Sequence, residues 1–174
     1  DYRAVYPASS VVLSDGKFDK SNFSATQSYV QNSFGVGAMP MKTNMYRGTN
    51  NPLLFSNVFG VLKLQLKGAA DEKVTSIVIT SDNALNGEAN LKSGEIVLSG
   101  ASDENKKVTL DCGEGVALNS VTATDFHIAL PAGATGLKVL IRKATALPTF
   151  SPASSISSIA RLSSLCAAAM MSLM

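Results

Sequence analysis

Strict alternation of apolar and polar residues is the sequence feature that most constrains the fold of this chain. In residues 61–67, Leu62, Leu64 and Leu66 alternate with lysine and glutamine. Because successive side chains of a strand point to opposite faces, this period of two predicts a strand with one buried face. The pattern returns at residues 107–112, 124–130 and 136–142. Several short strands of this kind, separated by turn residues, predict an all-β sandwich or barrel.

Turn residues predict two hairpins. The glycine and aspartate between residues 61–67 and 74–80 predict that these two strands pair directly. Asn86-Gly87 tolerates positive φ at both positions, so it predicts a second hairpin that joins residues 74–80 to a short strand at 88–92. Residues 96–98 are a further short strand candidate.

The first 50 residues carry weaker signals. Residues 2–6 and 34–41 are strand candidates, Asp15-Gly16 is a turn signal, and residues 42–52, rich in asparagine and glycine, predict a loop. Gly35-Val36-Gly37 lacks the rest of a phosphate-binding loop and predicts a strand bulge or a close backbone approach.

The end of the chain differs in kind, so we expect a domain at residues 1–143 and a Ser/Ala/Met-rich tail at 144–174. Arg161 is the only charged residue of the tail, against 27 charges in the preceding 143 residues. Five apolar tail residues fall at helical spacing: Ile159, Leu162, Cys166, Met170 and Leu173. Three interpretations stay open: a short packed helix, a disordered tail, or a non-native reading frame. The longest apolar run, residues 165–171, is far below the roughly 20 residues of a membrane helix.

Composition excludes several classes of function. The formal net charge is +2 and charged residues make up 16% of the chain, so a basic surface for a phosphate backbone is not expected, and nucleic acid is excluded as a partner. A chain of 174 residues can bury a core without a disulfide or a metal. Cys112 and Cys166 are interpreted as independent thiols, with Cys112 on the buried face of its strand. The chain begins at Asp1 without a leader signal, so we expect it to start inside a longer polypeptide.

Candidate catalytic and metal-ligating residues lack the partners that such chemistry needs. His127, the only histidine, and Asp125 are expected on the outward face of a strand, where they are interpreted as a solvated edge. Residues 111–115 come closest to a calcium loop but hold too few carboxylates. The sequence therefore predicts no enzyme, no catalytic or cofactor-binding residue and no metal site. Leu140 is expected to point outward, where a partner contact and a plain surface position both stay open.

Five short motifs follow one another along the chain. They are AVYPA at 4–8, PMK at 40–42, LFSNVFGVLKL at 54–64, VTSIVITS with LNGEA at 74–89, and DFHIALPAG at 125–133. In this order and spacing they resemble motifs of the fimbrillin-like surface proteins of the Bacteroidales. The resemblance covers most of the chain, from about Ala4 to Ile141.

The resemblance implies a mainly antiparallel, transthyretin-like Greek-key β-sandwich, corresponding to the N-terminal domain of a major or minor fimbrial subunit or surface lipoprotein. It also implies export to the cell surface and outer membrane, and a place in fimbriae. In the best-known members, a protease removes an N-terminal strand after an arginine, and the opened groove accepts a strand of the next subunit. This chain departs from that pattern, because it lacks the lipobox cysteine and the N-terminal strand, and because the tail follows Arg142 where further strands are usual. The implied partners are other fimbrial subunits through strand exchange, and a host surface protein or glycan. A membrane would be contacted only through a lipid anchor outside this chain.

Three functional hypotheses follow. The first is a structural or adhesive subunit that assembles by β-strand addition, with residues 62–66 and 137–141 as the receptive framework. The second is an accessory carbohydrate- or protein-binding module of a larger surface protein; sugar binding favours exposed aromatic rings, and the chain has no tryptophan. The third is a hydrolase domain, which needs a constellation of residues that the sequence does not contain.

Overall fold

The computed structural model describes residues 4–14, 17–43, 52–91, 96, 102–145 and 172–173. Apart from one 3-10 turn at Ala8–Ser10, the regular elements of these residues are β-strands. In chain order the strands are β1 (Val5–Tyr6), β2 (Val11–Ser14), β3 (Lys17–Phe23), β4 (Thr26–Val30), β5 (Ser33–Phe34), β6 (Met41–Thr43), β7 (Phe55–Asn57), β8 (Gly60–Leu66), β9 (Glu72–Thr80), β10 (Gly87–Asn90), β11 (Lys107–Ala117), β12 (Thr124–Leu130), β13 (Lys138–Thr145) and β14 (Ser172–Leu173).

The main sheet has the strand order β13-β9-β11-β4-β5. β9 is antiparallel to both of its neighbours, while β4 runs parallel to β11, with Thr26 opposite Thr109. The inward residues of β9 and β11 build the centre of the core, because Ile77, Ile79 and Val108 have no exposed surface.

The opposing layer contains two three-stranded sheets, β12-β8-β14 and β10-β3-β2. β8 and β12 pair antiparallel over their full length, from Gly60 opposite Leu130 to Leu66 opposite Thr124. Their inward leucines, isoleucine and phenylalanine join the same core cluster as the main sheet. The third small sheet has the order β1-β6-β7. Packing of two β-layers around one core confirms the predicted all-β, mainly antiparallel sandwich.

Aromatic contacts connect β12 to the main sheet, and β3 to the chain before β8. The ring of Tyr29 on β4 lies 5.3 Å from the ring of Phe126 on β12, and the rings of Phe23 and Phe59 meet edge to face at 4.3 Å. Since Phe126 is fully buried, the first contact fixes β12 over the β4 side of the main sheet.

Both predicted hairpins are wrong. β8 pairs with β12 and β9 pairs with β11 and β13, so the turn between them carries the chain from one layer to the other. The apolar faces of β8 and β9 therefore meet across the core, and the two strands are not neighbours in one sheet. The strand after Asn86 pairs with β3, not with β9. Asn86 is itself buried, and its amide donates to the carbonyl groups of Glu104 and Lys107, so it anchors a loop.

The N-terminal predictions are corrected in part. The strand expected at residues 34–41 is interrupted, because β5 ends at Phe34 and a turn with Gly37 at φ +79° precedes β6. Gly35 confirms the expected close approach, since a Cβ there would lie 2.7 Å from the carbonyl oxygen of Ser28. A loop was expected at residues 42–52, but residues 42 and 43 belong to β6. Residues 44–51 and Asp15-Gly16 lie outside the described part of the chain.

The later strands agree better with expectation. β12 has the predicted bounds and is followed by Pro131. β11 extends beyond residue 112 through a register shift between Asp111 and Val116, and β13 extends past the expected domain end at 143. Ile96 forms an isolated bridge to Ala89, and residues 97–98 lie outside the described residues.

Most of the tail, residues 146–171, also lies outside the described residues. Leu173 was included in the helix that the apolar spacing of the tail favoured, and this is wrong at that residue, because Leu173 belongs to β14.

Candidate functional site

Within the described residues, β8 is paired along its whole length on one edge only. β12 covers that edge from Gly60 to Leu66. On the other edge the described residues contribute only β14, with Ser172 opposite Lys63 and Leu173 opposite Leu62. The rest of this edge has no strand partner within the described ranges. An unpaired edge presents N–H and C=O groups in the spacing of a further strand.

The hydrogen bonds of Ala129 identify which groups of β8 face that open edge. The N–H of Ala129 donates to Oε1 of Gln27 at 2.9 Å, and its carbonyl accepts from Nε2 of Gln27 at 2.8 Å. Ala129 is therefore not hydrogen-bonded to Val61, its register partner on β8. Because bonded and non-bonded pairs alternate in an antiparallel ladder, the backbone groups of Val61, Lys63 and Gln65 point away from β12.

The main sheet extends beyond the β8–β12 ladder on the side of β13. Val139 and Ile141 point inward and pack against the core, yet they are only half-buried. Their register partners on β9, Ile79 and Ile77, have no exposed surface. Gln27 and Tyr29 of β4 contact β12, so β12 lies over the β4 side of the main sheet. In the β8–β12 pair, β8 is therefore the strand nearer to β13. The edge of β8 that faces away from β12 is therefore its edge on the β13 side of the sandwich.

The edge of β12 opposite β8 is covered. The side chain of Gln27 is 4% exposed and occupies the backbone groups of Ala129. Further along the same strand, the ring of Phe34 on β5 meets the ring of His127 edge-on at 5.9 Å. Side chains of the β4–β5 hairpin thus cover this edge at Ala129 and the adjoining outward face at His127.

The outer edge of β13 carries a different kind of protection. Its side chains include the cations Lys138, Arg142 and Lys143, and its pairing with β9 shifts register between Arg142 and Lys143. Charged side chains and bulges are the usual features that prevent uncontrolled strand pairing. The β8 edge also carries a cation, Lys63, but within the described residues it differs from the other two edges because a short strand of the chain, β14, already pairs with it.

Polar groups line the outward face of β8 and β12. Asp125 accepts hydrogen bonds from Lys63 and Gln65, which lower the pKa of its carboxyl group below the usual range. His127, interpreted from sequence as part of a solvated edge, is instead half-buried beside Phe34. Its Nδ1 is buried and has no hydrogen-bond partner among the described residues. The reason is that the β4–β5 hairpin folds over this end of the outward face.

The other residues singled out by sequence do not converge on one site. Cys112 is buried as predicted, and burial together with the neighbouring Asp111 raises the pKa of its thiol to about 11; Cys166 lies outside the described residues. Leu140 points outward and is 56% exposed. Within the described ranges there is no group of three or more side chains able to hold a metal ion, residues 111–115 included.

Gln27 was missed by the sequence analysis. Gln27 and Tyr29 occupy the inward positions of β4. A buried amide at a position where an apolar residue is expected hides the period of two, so the segment gave no strand signal.

In the part of the chain that the structure describes, no helix has the length and apolar character needed to cross a bilayer. Comparison with protein-family models, curated proteins and solved structures finds no match to this chain. The fimbrillin-like resemblance therefore rests on the sequence motifs, and the functional argument rests on the β8 edge.

Proposed function

We propose that this chain is a non-catalytic structural or adhesive cell-surface subunit that assembles by β-strand addition at the open edge of β8. The observation that carries the proposal is the edge of β8 that faces away from β12, together with the half-buried inner face of β13. β14 supports it, because a segment of the same chain already pairs antiparallel with Lys63 and Leu62 at this edge.

The added strand would gain affinity from backbone bonds to Val61, Lys63 and Gln65 and specificity from its side chains. Its residues in register with Leu62 and Leu64 would share their core-facing side and cover Val139 and Ile141. Alternating apolar residues in the donor strand are therefore expected, since burial of apolar surface stabilises the complex.

The fimbrillin-like motifs supply the biological setting of this proposal. They favour a transthyretin-like Greek-key subunit of Bacteroidales fimbriae at the outer membrane, with a lipid anchor outside this chain. Other fimbrial subunits are then the donors of the strand, and a host surface protein or glycan is the target of adhesion.

The proposal is tested by binding a strand-like peptide to the open edge. A fluorescent peptide of residues 167–174, which contains β14, is titrated into the full chain and into a chain ended at Thr145. We expect one peptide per shortened chain and weaker binding to the full chain, whose own β14 competes.

Val61 supplies a matched pair of variants. Its N–H faces the open edge, so Val61→Pro removes a donor there without breaking a bond to β12, whereas Val61→Ala keeps the donor. We expect Val61→Pro to weaken peptide binding by about tenfold or more, corresponding to at least one lost backbone hydrogen bond at the edge, and Val61→Ala to bind normally. Absence of peptide binding to the shortened chain would reject strand addition at β8.

Glycan binding, the second hypothesis, has one observation in its favour. A cavity of about 240 Å³ opens beside β3 and β4, and its polar lining is uncharged. The lining includes Ser9, Asn22, Ser24, Thr26 and Ser28. Among the described side chains no aromatic ring lines this cavity for stacking on a sugar, which makes it the weaker candidate. Titration with neutral oligosaccharides, with Asn22→Ala as the variant, tests it directly.

A further inference from the structure

We propose that Gln27 determines which edge of the β8–β12 ladder accepts a strand, by closing the β12 edge with its side-chain amide. This inference rests on the proposed strand addition and adds the reason why only one edge of the ladder accepts a strand. It is carried by the two hydrogen bonds between Gln27 and Ala129 and by the burial of both residues.

The amide of Gln27 takes the place of one residue of a neighbouring strand. A backbone residue in an antiparallel ladder donates one N–H and offers one C=O to its partner. The Gln27 amide does the same, with Nε2 as donor and Oε1 as acceptor, at 2.8 and 2.9 Å. Gln27 is 4% exposed and Ala129 is fully buried, so water does not compete for these groups.

Loss of this amide would leave the N–H and C=O of Ala129 buried and unpaired. Buried backbone groups without partners are strongly unfavourable, so they favour any arrangement that supplies a partner. By the same alternation, the backbone groups of His127 and Asp125 also point to this edge. Without the Gln27 amide, the β12 edge at Ala129 therefore presents backbone groups in the same spacing as the β8 edge.

The consequence concerns the geometry of assembly. A subunit with one receptive edge accepts one donor strand, which gives a head-to-tail series. A subunit with two receptive edges accepts two donors, which gives branched or cross-linked association. Gln27 thus acts as a positioning residue for assembly, although it touches no donor strand.

The test compares three full-length variants with the wild-type chain. Gln27→Leu removes both hydrogen bonds. Gln27→Glu, in its ionised form, keeps an acceptor for the Ala129 N–H but offers the Ala129 carbonyl no donor. Gln31→Leu is the control at an exposed turn position. Solution mass is measured by light scattering over a wide concentration range, together with amide hydrogen exchange.

We expect Gln27→Leu to associate as concentration rises, reaching about twice the monomer mass or more, with new exchange protection at His127 and protection kept at Ala129. Gln27→Glu should show the same change at higher concentration, and it replaces the leucine variant if that variant does not fold. Gln31→Leu should match the wild type. A folded Gln27 variant that loses stability but keeps the wild-type mass and protection pattern overturns the inference.

A measurement on the wild-type chain needs no substitution. Excess peptide of residues 167–174 should increase exchange protection at Val61, Lys63 and Gln65 and leave His127 unchanged. Protection on both edges would refute the role of Gln27 while keeping strand addition. Protection on neither edge would refute the proposed function, whereas the association of Gln27→Leu would still decide the role of Gln27.

Discussion

Lys63 on β8 and Asp125 on β12 form an ion pair that crosses the ladder diagonally, with Nζ 2.8 Å from Oδ2. In register, Asp125 lies opposite Gln65, and Lys63 lies opposite His127. Gln65 donates to the second carboxylate oxygen at 2.9 Å, so both oxygens of Asp125 have a donor. The hydrogen bonds from Lys63 and then from Gln65 stabilise the charged form and lower the pKa of Asp125.

Asp125→Asn should therefore destabilise the protein in a pH-dependent way. Since the folded pKa of Asp125 lies below the unfolded one, its stabilising contribution is present above the ordinary value of 3.8 and is lost as the pH falls through the folded pKa. At neutral pH we expect roughly 0.5 kcal/mol, as for other solvent-accessible ion pairs. Urea unfolding of both proteins between about pH 2 and 7 measures the difference.

Asp71→Asn serves as the control for loss of a surface carboxylate, because Asp71 is exposed and makes no ion pair within the described ranges. If the stability gap between wild type and Asp125→Asn were the same at acidic and neutral pH, the ion pair would not be its cause.

Leu64 and Leu140 provide a matched pair of one buried and one exposed leucine. Leu64 is 1% exposed in the core, whereas Leu140 is 56% exposed on β13. Leu64→Ala should lower the free energy of unfolding by about 2–5 kcal/mol, because it removes buried methyl groups and leaves a cavity. Leu140→Ala should change it by less than about 0.5 kcal/mol. Chemical denaturation measures both, and a similar loss in the two variants would contradict the assignment of faces.

Strands with a regular apolar face could be predicted from sequence, but their partners could not. The alternation of Leu62 and Leu64, and that of Phe126 and Ile128, is visible without a structure and defines β8 and β12. The direct pairing of β8 with β9 was wrong because a short turn serves equally well for a hairpin and for a crossing between layers. Pairing depends on contacts distant in sequence, which local turn residues do not encode.

The candidate site could be predicted only in outline. Residues 62–66 were expected to form part of a receptive framework; they lie on β8, and their role in accepting a strand stays a prediction. The role of Gln27 could not be inferred, because its partner Ala129 is 102 residues away in sequence. A glutamine in a weakly patterned segment has the same local signature whether its amide is solvated or buried.

Gly115 lies in β11 just before Val116, where regular pairing with β9 resumes after the bulge, and a side chain there should lower the stability of the protein. Its φ is +103°, and an added Cβ would lie 2.8 Å from the Cβ of Lys73. Gly115→Ala should therefore destabilise the protein by about 1–3 kcal/mol through backbone strain and the clash. Gly60→Ala is the control, because the nearest atom to its Cβ would be the carbonyl oxygen of Leu130 at 3.8 Å. We expect the free energy of unfolding of Gly60→Ala, measured by thermal unfolding, to equal that of the wild type or exceed it by up to about 1 kcal/mol. An equal loss of stability in both variants would contradict the special role of Gly115.

Amide hydrogen exchange should alternate along β8 in a chain ended at Thr145. The N–H groups of Leu62 and Leu64 point towards β12 and should exchange slowly, whereas those of Val61, Lys63 and Gln65 point to the open edge and should exchange quickly. In the full chain, Lys63 should gain protection, because Ser172 lies opposite it. Nuclear magnetic resonance resolves these five amides individually.

The two forms of the chain make this prediction specific. Protection that rises at Lys63 in the full chain, with no change at Leu62 and Leu64, would place β14 on the edge that faces away from β12. Uniform protection along β8 in the shortened chain would mean that this edge is already covered. The donor strand would then need another site, and the charged edge of β13 would be the next to examine by Arg142→Ala and Lys138→Ala.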